Sequence, residues 1–393
     1  MKVTDKTCQE CSGCTACMNI CPVNAIEMKE NKEGFLYPSI DEKKCIDCGL
    51  CYKICPFDEK WVSKNQNKEP DVYAIKNKNE EVRKSSTSGG IFTVLAEYVL
   101  HKSGIVYGAA FDENMVVNHI RVTTNEELSK LRGSKYVQSN LKDIFKEVKK
   151  DLDDQKYVIF SGTPCQVAGL SAFLNKEYER LIKIDLVCHG VPSPKLFRDH
   201  IKNIENNSSN KVKEYYFRDK TNGWHKHTEK VVFENGNNDY RSDISQAFKY
   251  LYAEHSMLRE SCNNCKLCSV KRISDITMGD YWGIEKKYKK FDDNKGVSLL
   301  LVNTEKGKKI FEEVKDKINY KKTCKEECLQ HNLIKPTKVS PNRKKFWDDY
   351  FKYGYKYITK KYSCCGVKLK ILIKIKNMSP QKLKNIIKKI LKR

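Results

Sequence analysis

Eight cysteines near the N-terminus have a spacing that could hold iron–sulfur clusters. They form two runs of the pattern C-x2-C-x2-C-x3-C-P, and each cysteine of the first run recurs 34 positions later in the second. In bacterial electron carriers this pattern holds two [4Fe–4S] clusters, and the fourth cysteine of each run ligates the other cluster. The spacing therefore predicts one cluster on Cys11, Cys14, Cys17 and Cys55, and a second on Cys45, Cys48, Cys51 and Cys21.

Zinc sites and disulfides are the alternative uses of so many thiols. Zinc sites usually close with two C-x2-C pairs or with Cys/His mixtures, not with two identical runs of four cysteines. A disulfide scaffold needs an export signal, and the first residues, Met-Lys-Val-Thr-Asp-Lys, show no apolar segment. Cys8 lies just before the first run and is surplus to the eight ligands. The runs predict electron transfer.

Two further cysteines follow predicted strands. An apolar strand at 157–160 leads into Ser161-Gly-Thr-Pro-Cys165, and a second strand at 181–187 leads into Cys188-His-Gly190. The helix predicted between them makes a βαβ unit with parallel strands and a right-handed crossover. Parallel strands end at the same sheet edge, where α/β folds bind ligands, so we expect both thiols to face one object.

A third C-x2-C-x2-C run begins at Cys262 and continues through Cys265 and Cys268, without a fourth cysteine or a proline. Two of its thiols together with Cys165 and Cys188 would complete a third [4Fe–4S] site. A zinc site on the same residues, or a set of reduced buried thiols, is the alternative. Cys324 and Cys328, with His331 after them, are predicted to be mostly structural.

A polar turn, Ser85-Ser-Thr-Ser-Gly-Gly90, precedes the apolar helix predicted at 91–100. Such a turn can offer N–H groups, hydroxyls and the positive end of a helix dipole to the phosphates of a flavin or nucleotide. Ordinary N-capping of the helix is the alternative. His189, beside Cys188, is a candidate proton donor, and a plain turn histidine is the alternative.

The strands and helices that must position these residues indicate an α+β protein. Its 393 residues are too many for a single hydrophobic core. We expect a bacterial-type 2[4Fe–4S] ferredoxin domain at 1–62 and a polar linker at 63–71. A mixed α/β domain for flavin and iron–sulfur binding follows at 70–345, and a basic helical tail at 346–393.

The net charge of +24 is concentrated near the C-terminus, where residues 351–393 hold 14 Lys or Arg and no Asp or Glu. Because the rest of the chain is only mildly basic, a nucleic-acid partner is not expected. After Ser379-Pro380, leucines and isoleucines share one predicted helix face opposite lysines, a pattern typical of a membrane-surface or partner-docking helix. The 18 cysteines indicate a reducing cytoplasm and an anaerobic cell.

Taken together, these motifs resemble the coenzyme F420 hydrogenase/dehydrogenase beta-subunit family, in the bacterial form with a fused N-terminal ferredoxin. Further motifs that carry the resemblance are Gly133-Ser-Lys-Tyr-Val-Gln-Ser139 and Asp275-Ile-Thr-Met-Gly-Asp280. The resemblance covers about residues 1–340. It implies one FAD and one [4Fe–4S] cluster in the main domain. The implied cluster ligands are Cys165, Cys188, Cys262 and Cys265, and the implied flavin contacts are Ser88, Gly89, Gly90, Lys135 and Tyr136.

The expected function is an oxidoreductase that passes electrons between ferredoxin-type clusters and FAD and on to an organic acceptor. The family implies that the acceptor is a deazaflavin or another small molecule. Because such genes can lie beside genes for cell-surface polysaccharide synthesis, a sugar or lipid-linked intermediate is a further candidate acceptor. A protein such as ferredoxin is the expected electron donor or acceptor. The main alternative is a non-catalytic electron-transfer subunit, and a basic nucleic-acid-binding iron–sulfur protein is the other.

Overall fold

The computed structural model describes residues 1–367. The chain folds into two compact units. The predicted domain boundaries after residues 62 and 345 stay predictions. The first unit comprises 1–198, 216–228 and 258–338, and the second comprises 199–215, 229–257 and, among the described residues, 339–367.

The ferredoxin segment is built as a repeated pair of short helices around one hairpin. Its elements are α1 (Ala16–Ile20), β1 (Ile26–Glu30), β2 (Leu36–Ile40), α2 (Leu50–Lys53) and α3 (Glu59–Asn65). Strand β1 pairs antiparallel with β2, with Ile26 opposite Ile40. The predicted linker is partly helical, since α3 extends to Asn65, and Asn67 donates hydrogen bonds to the carbonyls of Arg272 and Ser274.

The middle of the chain alternates strands and helices, as the apolar runs predict. Helix α5 has the predicted bounds. The elements are β3 (Asp71–Asn77), α4 (Glu80–Ser85), α5 (Ile91–Leu100), β4 (Ile105–Phe111), β5 (Val117–Val122), α6 (Asn125–Leu128), α7 (Ile144–Asp153), β6 (Val158–Gly162), α8 (Pro164–Leu174), β7 (Leu181–Leu186) and α9 (Pro194–Ser208).

The second half of the chain returns to the same sheet with its last strands. Here the elements are β8 (Val212–Asp219), β9 (Thr228–Phe233), β10 (Asn238–Asp239), α10 (Ala247–Ala253), β11 (Ile276–Asp280), α11 (Ile284–Lys287), β12 (Ser298–Val302), α12 (Glu305–Val314), β13 (Ile318–Thr323), α13 (Lys325–Cys328), α14 (Arg343–Tyr353) and α15 (Tyr355–Tyr362).

Eight strands form one mixed sheet in the order β13-β3-β12-β11-β7-β6-β4-β5. Its central strands β4, β6, β7 and β11 are parallel, and the outer strands pair antiparallel. Val158 of β6 lies opposite Leu181 of β7 in a parallel ladder, which confirms the predicted parallel neighbours. The α+β prediction is also confirmed, with a mixed α/β body after the ferredoxin segment.

Alternate side chains of each central strand enter different cores. Ile159 packs with α5 and α12, whereas Val158 and Phe160 pack with α7 and α8. Side chains alternate across a strand, so a strand buried on both faces has an almost continuous apolar sequence. Helices therefore cover both faces of the sheet and leave its strand ends available for a site.

The second unit is described on its own. His200 lies between two tyrosines, with Nε2 3.0 Å from the Tyr215 hydroxyl and Nδ1 2.9 Å from the Tyr355 hydroxyl. In this unit strand β9 pairs with β10. Helices α14 and α15 are the last helices of the unit among the described residues. The predicted amphipathic helix after Ser379 lies outside the described residues. Among residues 1–367, no helix is long and apolar enough to cross a membrane.

A buried histidine in the first unit predicts acid sensitivity. The His119 ring lies 2.7 Å from Ser139 Oγ and 3.0 Å from the Ser161 carbonyl, and burial lowers its pKa to about 4. Between pH 4 and 6.5 the unfolded chain therefore binds more protons, so the free energy of unfolding falls with falling pH, by about 3 kcal/mol in all. We expect His119→Gln to flatten the dependence of the thermal midpoint on pH between 7.5 and 5.5.

The control for this measurement is His101→Gln, because His101 is exposed at the end of α5. It should keep the pH dependence of the wild-type protein. Equal slopes for the His119 variant and the wild-type protein would contradict the prediction.

Candidate iron–sulfur site

The first four predicted ligands surround one cavity. It is lined by Cys11, Cys14, Cys17 and Cys55, together with Pro56. The chain can turn this tightly because Gly13 and Thr15 adopt left-handed backbone conformations, with φ of 70° and 65°. Consecutive turns of this kind direct several N–H groups inward, which suits an anionic cluster.

The second four predicted ligands surround another cavity, lined by Cys21, Cys45, Cys48 and Cys51. The left-handed residues recur 34 positions later as Asp47 and Gly49, with φ of 51° and 69°. The sequence repeat is thus also a repeat of backbone conformation. In both cavities the fourth cysteine comes from the other run, which is the predicted crosswise arrangement.

The two cavities differ in exposure to solvent. Cys14 and Cys17 are buried, whereas Cys48 is exposed. Burial raises the pKa of the Cys14 and Cys17 thiols, so without a metal they are neutral. Iron binding has to displace those protons, because the thiolate is the ligand. The exposed cavity is the one that an external redox protein could approach.

A third group of thiols lies at the edge of the mixed sheet. Cys165 is the second residue of α8, which follows β6 closely, and Cys188 follows β7, so both lie just past a strand end, as predicted. Burial raises the pKa of Cys188, and the neighbouring thiols of Cys262, Cys165 and Cys265 add to this rise. The thiol of Cys268 donates a hydrogen bond that lowers the pKa of Cys265 to about 7. The structure thus brings the four predicted residues together, with Cys268 beside them.

The first and third thiol groups are adjacent because α8, which carries Cys165, packs closely against Cys14. A Cβ atom added at Gly169, in α8, would lie 2.9 Å from Cys14 Cβ and 3.1 Å from Cys14 Sγ. The helix that carries Cys165 therefore packs its backbone directly on the ferredoxin segment. No side chain larger than hydrogen fits between them.

The predicted phosphate cradle is bonded within the protein. Ser88 Oγ donates to the Val297 carbonyl at 2.7 Å, and the Gly89 N–H donates to Ser298 Oγ at 2.9 Å. Gly90 precedes α5 with φ of 83°. These groups anchor the turn to the start of β12 at the same sheet edge as Cys188. Their assignment to a flavin stays a prediction.

Lys135 and Tyr136 lie on the loop before α7. Lys135 Nζ donates to the carbonyls of Lys130 and Arg132, at 2.9 and 2.8 Å, and burial lowers its pKa to about 7. The Tyr136 ring packs edge-on against Phe217, with ring centroids 5.5 Å apart. Burial also raises the pKa of Tyr136. This loop supplies a cation and an aromatic ring near the sheet edge.

A buried ion pair at the end of β11 was not predicted. Arg218 Nη1 donates to Asp280 Oδ2 at 2.7 Å, and both side chains are at most 10% exposed. The Trp224 indole donates to Asp280 Oδ1, and its ring stacks on Trp282 at 4.9 Å. The motif that ends in Asp280 was the only sequence signal, since its arginine partner is distant in the chain.

Lys220 is a second cation that the sequence did not indicate. Its ammonium donates to the carbonyls of Ser88, Lys295 and Arg83, at 2.6, 2.7 and 2.8 Å. Burial lowers its pKa to about 7. Lys220 thus fixes the outer side of the Ser85–Gly90 turn.

His189 is half-buried and close to Asn332, with 3.0 Å between its Nδ1 and Asn332 Oδ1. Its carbonyl accepts a hydrogen bond from the Thr337 hydroxyl. These contacts orient the ring and the strand end. The proton-donor role of His189 stays a prediction.

The fold and the three thiol groups define a class: an iron–sulfur redox protein with a ferredoxin segment joined to a mixed α/β body. A model of the 4Fe-4S dicluster domain matches residues 10–58. Models of the N-terminal and C-terminal parts of the coenzyme F420 hydrogenase/dehydrogenase beta subunit match residues 72–146 and 155–326. The chain belongs to this beta-subunit family, which confirms the resemblance in its motifs.

Three similar proteins have names that refer to F420. A component of the F(420)H(2) dehydrogenase of Methanosarcina mazei is 23% identical over 324 residues, 78% of this chain and 83% of that protein. A coenzyme F420-dependent sulfite reductase of Methanocaldococcus jannaschii is 24% identical, over 86% of this chain but only 51% of that protein. An F420-reducing [NiFe] hydrogenase complex from Methanosarcina barkeri has a chain with 20% identity and a TM-score of 0.46, covering 75% of this chain and 91% of that chain.

Proposed function

We propose that the protein is an iron–sulfur oxidoreductase with three [4Fe–4S] clusters and an FAD, serving an organic acceptor. The observation that carries the proposal is the contact between Cys14 and α8. Because of this contact, the buried Cys14 lies beside the helix that carries Cys165 in its first turn. Electrons that enter at the exposed second cavity would therefore have a continuous path to the sheet edge.

The spacing of the cysteine sulfurs supports clusters over single zinc ions. Within residues 1–367, the only three ligand atoms within 4.8 Å of one another come from His225, Glu285 and Asp292. Tetrahedral zinc with Zn–S bonds of about 2.3 Å requires sulfurs about 3.8 Å apart. Among the described residues, no three cysteine sulfurs all lie within 4.8 Å of one another, which favours a larger object such as a cube of iron and sulfide.

Iron content tests the third cluster. Three [4Fe–4S] clusters correspond to about twelve irons per chain, and Cys165→Ser should reduce this to about eight. Cys324→Ser is the matched control, because Cys324 is exposed and away from the predicted ligand sets, so it should leave the iron content unchanged. About eight irons in both the wild-type protein and the Cys165 variant would remove the third cluster.

FAD is proposed for the sheet edge between the third thiol group and the Ser85–Gly90 turn. Bound there, it would supply two-electron chemistry toward the acceptor. The single donors of Ser88 Oγ and the Gly89 N–H already bond to the protein, whereas the Lys135 ammonium has a third N–H beyond the two that bond to carbonyls. We therefore assign the anion contacts to the first turn of α5 and to Lys135. The packed Tyr136 ring would exclude water from the same place.

The flavin proposal is tested by denaturing anaerobically purified protein and measuring the released FAD. We expect Lys135→Met to lower FAD retention about tenfold or more, since one charge-assisted hydrogen bond is lost. The matched control is Lys130→Met, because Lys130 is exposed on the same loop. Iron-loaded protein that releases no flavin would instead support a non-catalytic electron-transfer subunit.

The acceptor is proposed by relationship alone. The names of two relatives, a dehydrogenase and a sulfite reductase, refer to F420. We therefore propose a deazaflavin first, and a protein such as ferredoxin at the other end of the path. Mixing the reduced protein anaerobically with a deazaflavin, and separately with candidate small molecules, identifies the acceptor that restores the oxidised visible spectrum.

A further inference from the structure

A fully buried arginine lies between the first and third thiol groups. Arg259 has no exposed surface. Its main chain belongs to the loop of the third group, because its N–H donates to the Val191 carbonyl and its carbonyl accepts from the Cys262 N–H, both at 3.0 Å. Its side chain points the other way, into the ferredoxin segment.

The guanidinium is held there by neutral groups and by sulfur. Nε donates to the Cys11 carbonyl at 2.9 Å, Nη1 donates to Gln138 Oε1 at 3.0 Å, and Nη2 lies 3.7 Å from Cys11 Sγ. The Tyr37 ring covers it, with 4.0 Å from the guanidinium carbon to the ring centroid. Burial raises the pKa of Cys165 and of Cys262, and the positive charge of Arg259 partly offsets this rise at both thiols.

The guanidinium contacts that the structure describes include no carboxylate. Among the described residues, no ion pair joins Arg259 to an aspartate or glutamate. An isolated buried charge is strongly unfavourable, and arginine stays protonated in proteins. Thiolate-ligated [4Fe–4S] clusters are anionic and gain one further negative charge on reduction, so they would supply the missing counter-charge.

We propose that Arg259 is a positioning residue that balances the charge of the clusters on either side of it and raises the reduction potential of both. The effect on the Cys11 cluster rests on the dicluster domain, and the effect on the second neighbour rests on the proposed third cluster. Because the guanidinium lies between the first and third thiol groups, its positive charge would stabilise the reduced form of the cluster at each of them. The distant second cavity, lined by Cys48, should feel little of it.

The neighbouring residues support a fixed guanidinium. Gln138, which accepts from Nη1, also donates from Nε2 to the Ser12 carbonyl at 3.2 Å. Gly13 leaves room for both, since a Cβ there would lie 2.7 Å from Gln138 Nε2 and 2.9 Å from Arg259 Nη1. The charge is therefore held in one place relative to Cys11.

The test is an anaerobic potentiometric titration of the full chain, followed by electron paramagnetic resonance, with iron content measured on the same samples. Arg259→Gln should make reduction of the Cys11 cluster at least tenfold less favourable, a downward shift of about 59 mV for a one-electron couple. Arg259→Lys keeps the charge and should shift the potential by less than half as much. Arg241→Gln is the matched control, because Arg241 is exposed, and should leave every potential unchanged.

Each outcome decides the question. If the glutamine variant fails to load iron but the lysine variant loads it, the charge is required and the proposal holds. Wild-type potentials in both variants, equal shifts in both, or loss of iron from both would overturn it. The number of irons in the wild-type protein separately tests the third cluster, so a failure of that proposal is distinguishable from a failure of this one.

Discussion

Replacing Gly169 with leucine is expected to remove the cluster predicted on Cys11, Cys14, Cys17 and Cys55, and with it about four irons per chain. The Cβ atom alone would lie 2.9 Å from Cys14 Cβ and 3.2 Å from the Cys14 carbonyl oxygen. These are parts of the backbone and of a ligand, not the flexible end of a side chain. Either α8 separates from the ferredoxin segment or the cysteine leaves its place.

The measurement for Gly169→Leu is iron content with the spectrum of the reduced clusters, after anaerobic purification. Ser171→Ala lies in the same helix and removes only a hydroxyl, so it serves as the matched control and should retain all iron. Full iron content in the leucine variant would show that the junction yields without disturbing Cys14.

A second large effect is expected at the ion pair between Arg272 and Asp185, whose side chains are both 2% exposed. Arg272 also donates to the carbonyls of Leu267, Ser269 and Leu186, at 3.0, 3.1 and 2.6 Å. It therefore ties the loop that carries Cys265 and Cys268 to the end of β7. Removing one partner of a buried pair leaves the other charge uncompensated and typically costs about 3–5 kcal/mol.

We expect Arg272→Met to lower the free energy of unfolding by that amount and to lose the iron of the proposed third cluster. The double variant Arg272→Met/Asp185→Leu should recover most of the stability, because neither charge then remains buried. Lys149→Ala breaks the exposed pair with Asp153 and should change stability by less than about 1 kcal/mol. Guanidinium unfolding of the three variants checks this, and a similar loss in Lys149→Ala would contradict it.

The two ferredoxin cysteine runs could be recognised in the sequence because ligand spacing reflects the shape of the object that is bound, whereas the full third set came from the family resemblance. The parallel β6–β7 unit could be predicted because two apolar runs separated by one helix leave few alternatives. Both predictions depend on residues that are close in the chain. Distant pairing, such as β3 between β12 and β13, has no comparable local signal.

The same limit explains what sequence reasoning missed at the site. Nothing in the Ser85–Gly90 turn itself indicates that the Ser88 hydroxyl bonds to the Val297 carbonyl or the Gly89 N–H to Ser298, and the assignment of the turn to a phosphate stays a prediction. Arg259 belongs to no motif, and its position depends on Cys11, far away in the chain. A single arginine in a basic sequence carries no signal until its neighbours in space are known.

The order of strands in the sheet has a consequence for synthesis of the protein. Asp71, at the start of β3, pairs with Val302 of β12, so β3 cannot join the sheet until most of the chain has been synthesised. At usual translation rates the delay is roughly tens of seconds. Cys55, the last ferredoxin ligand, leaves the ribosome long before Cys262. We therefore expect the two ferredoxin clusters to be inserted into a nascent chain, and the proposed third cluster to be inserted only after β11 and β12 have joined the sheet.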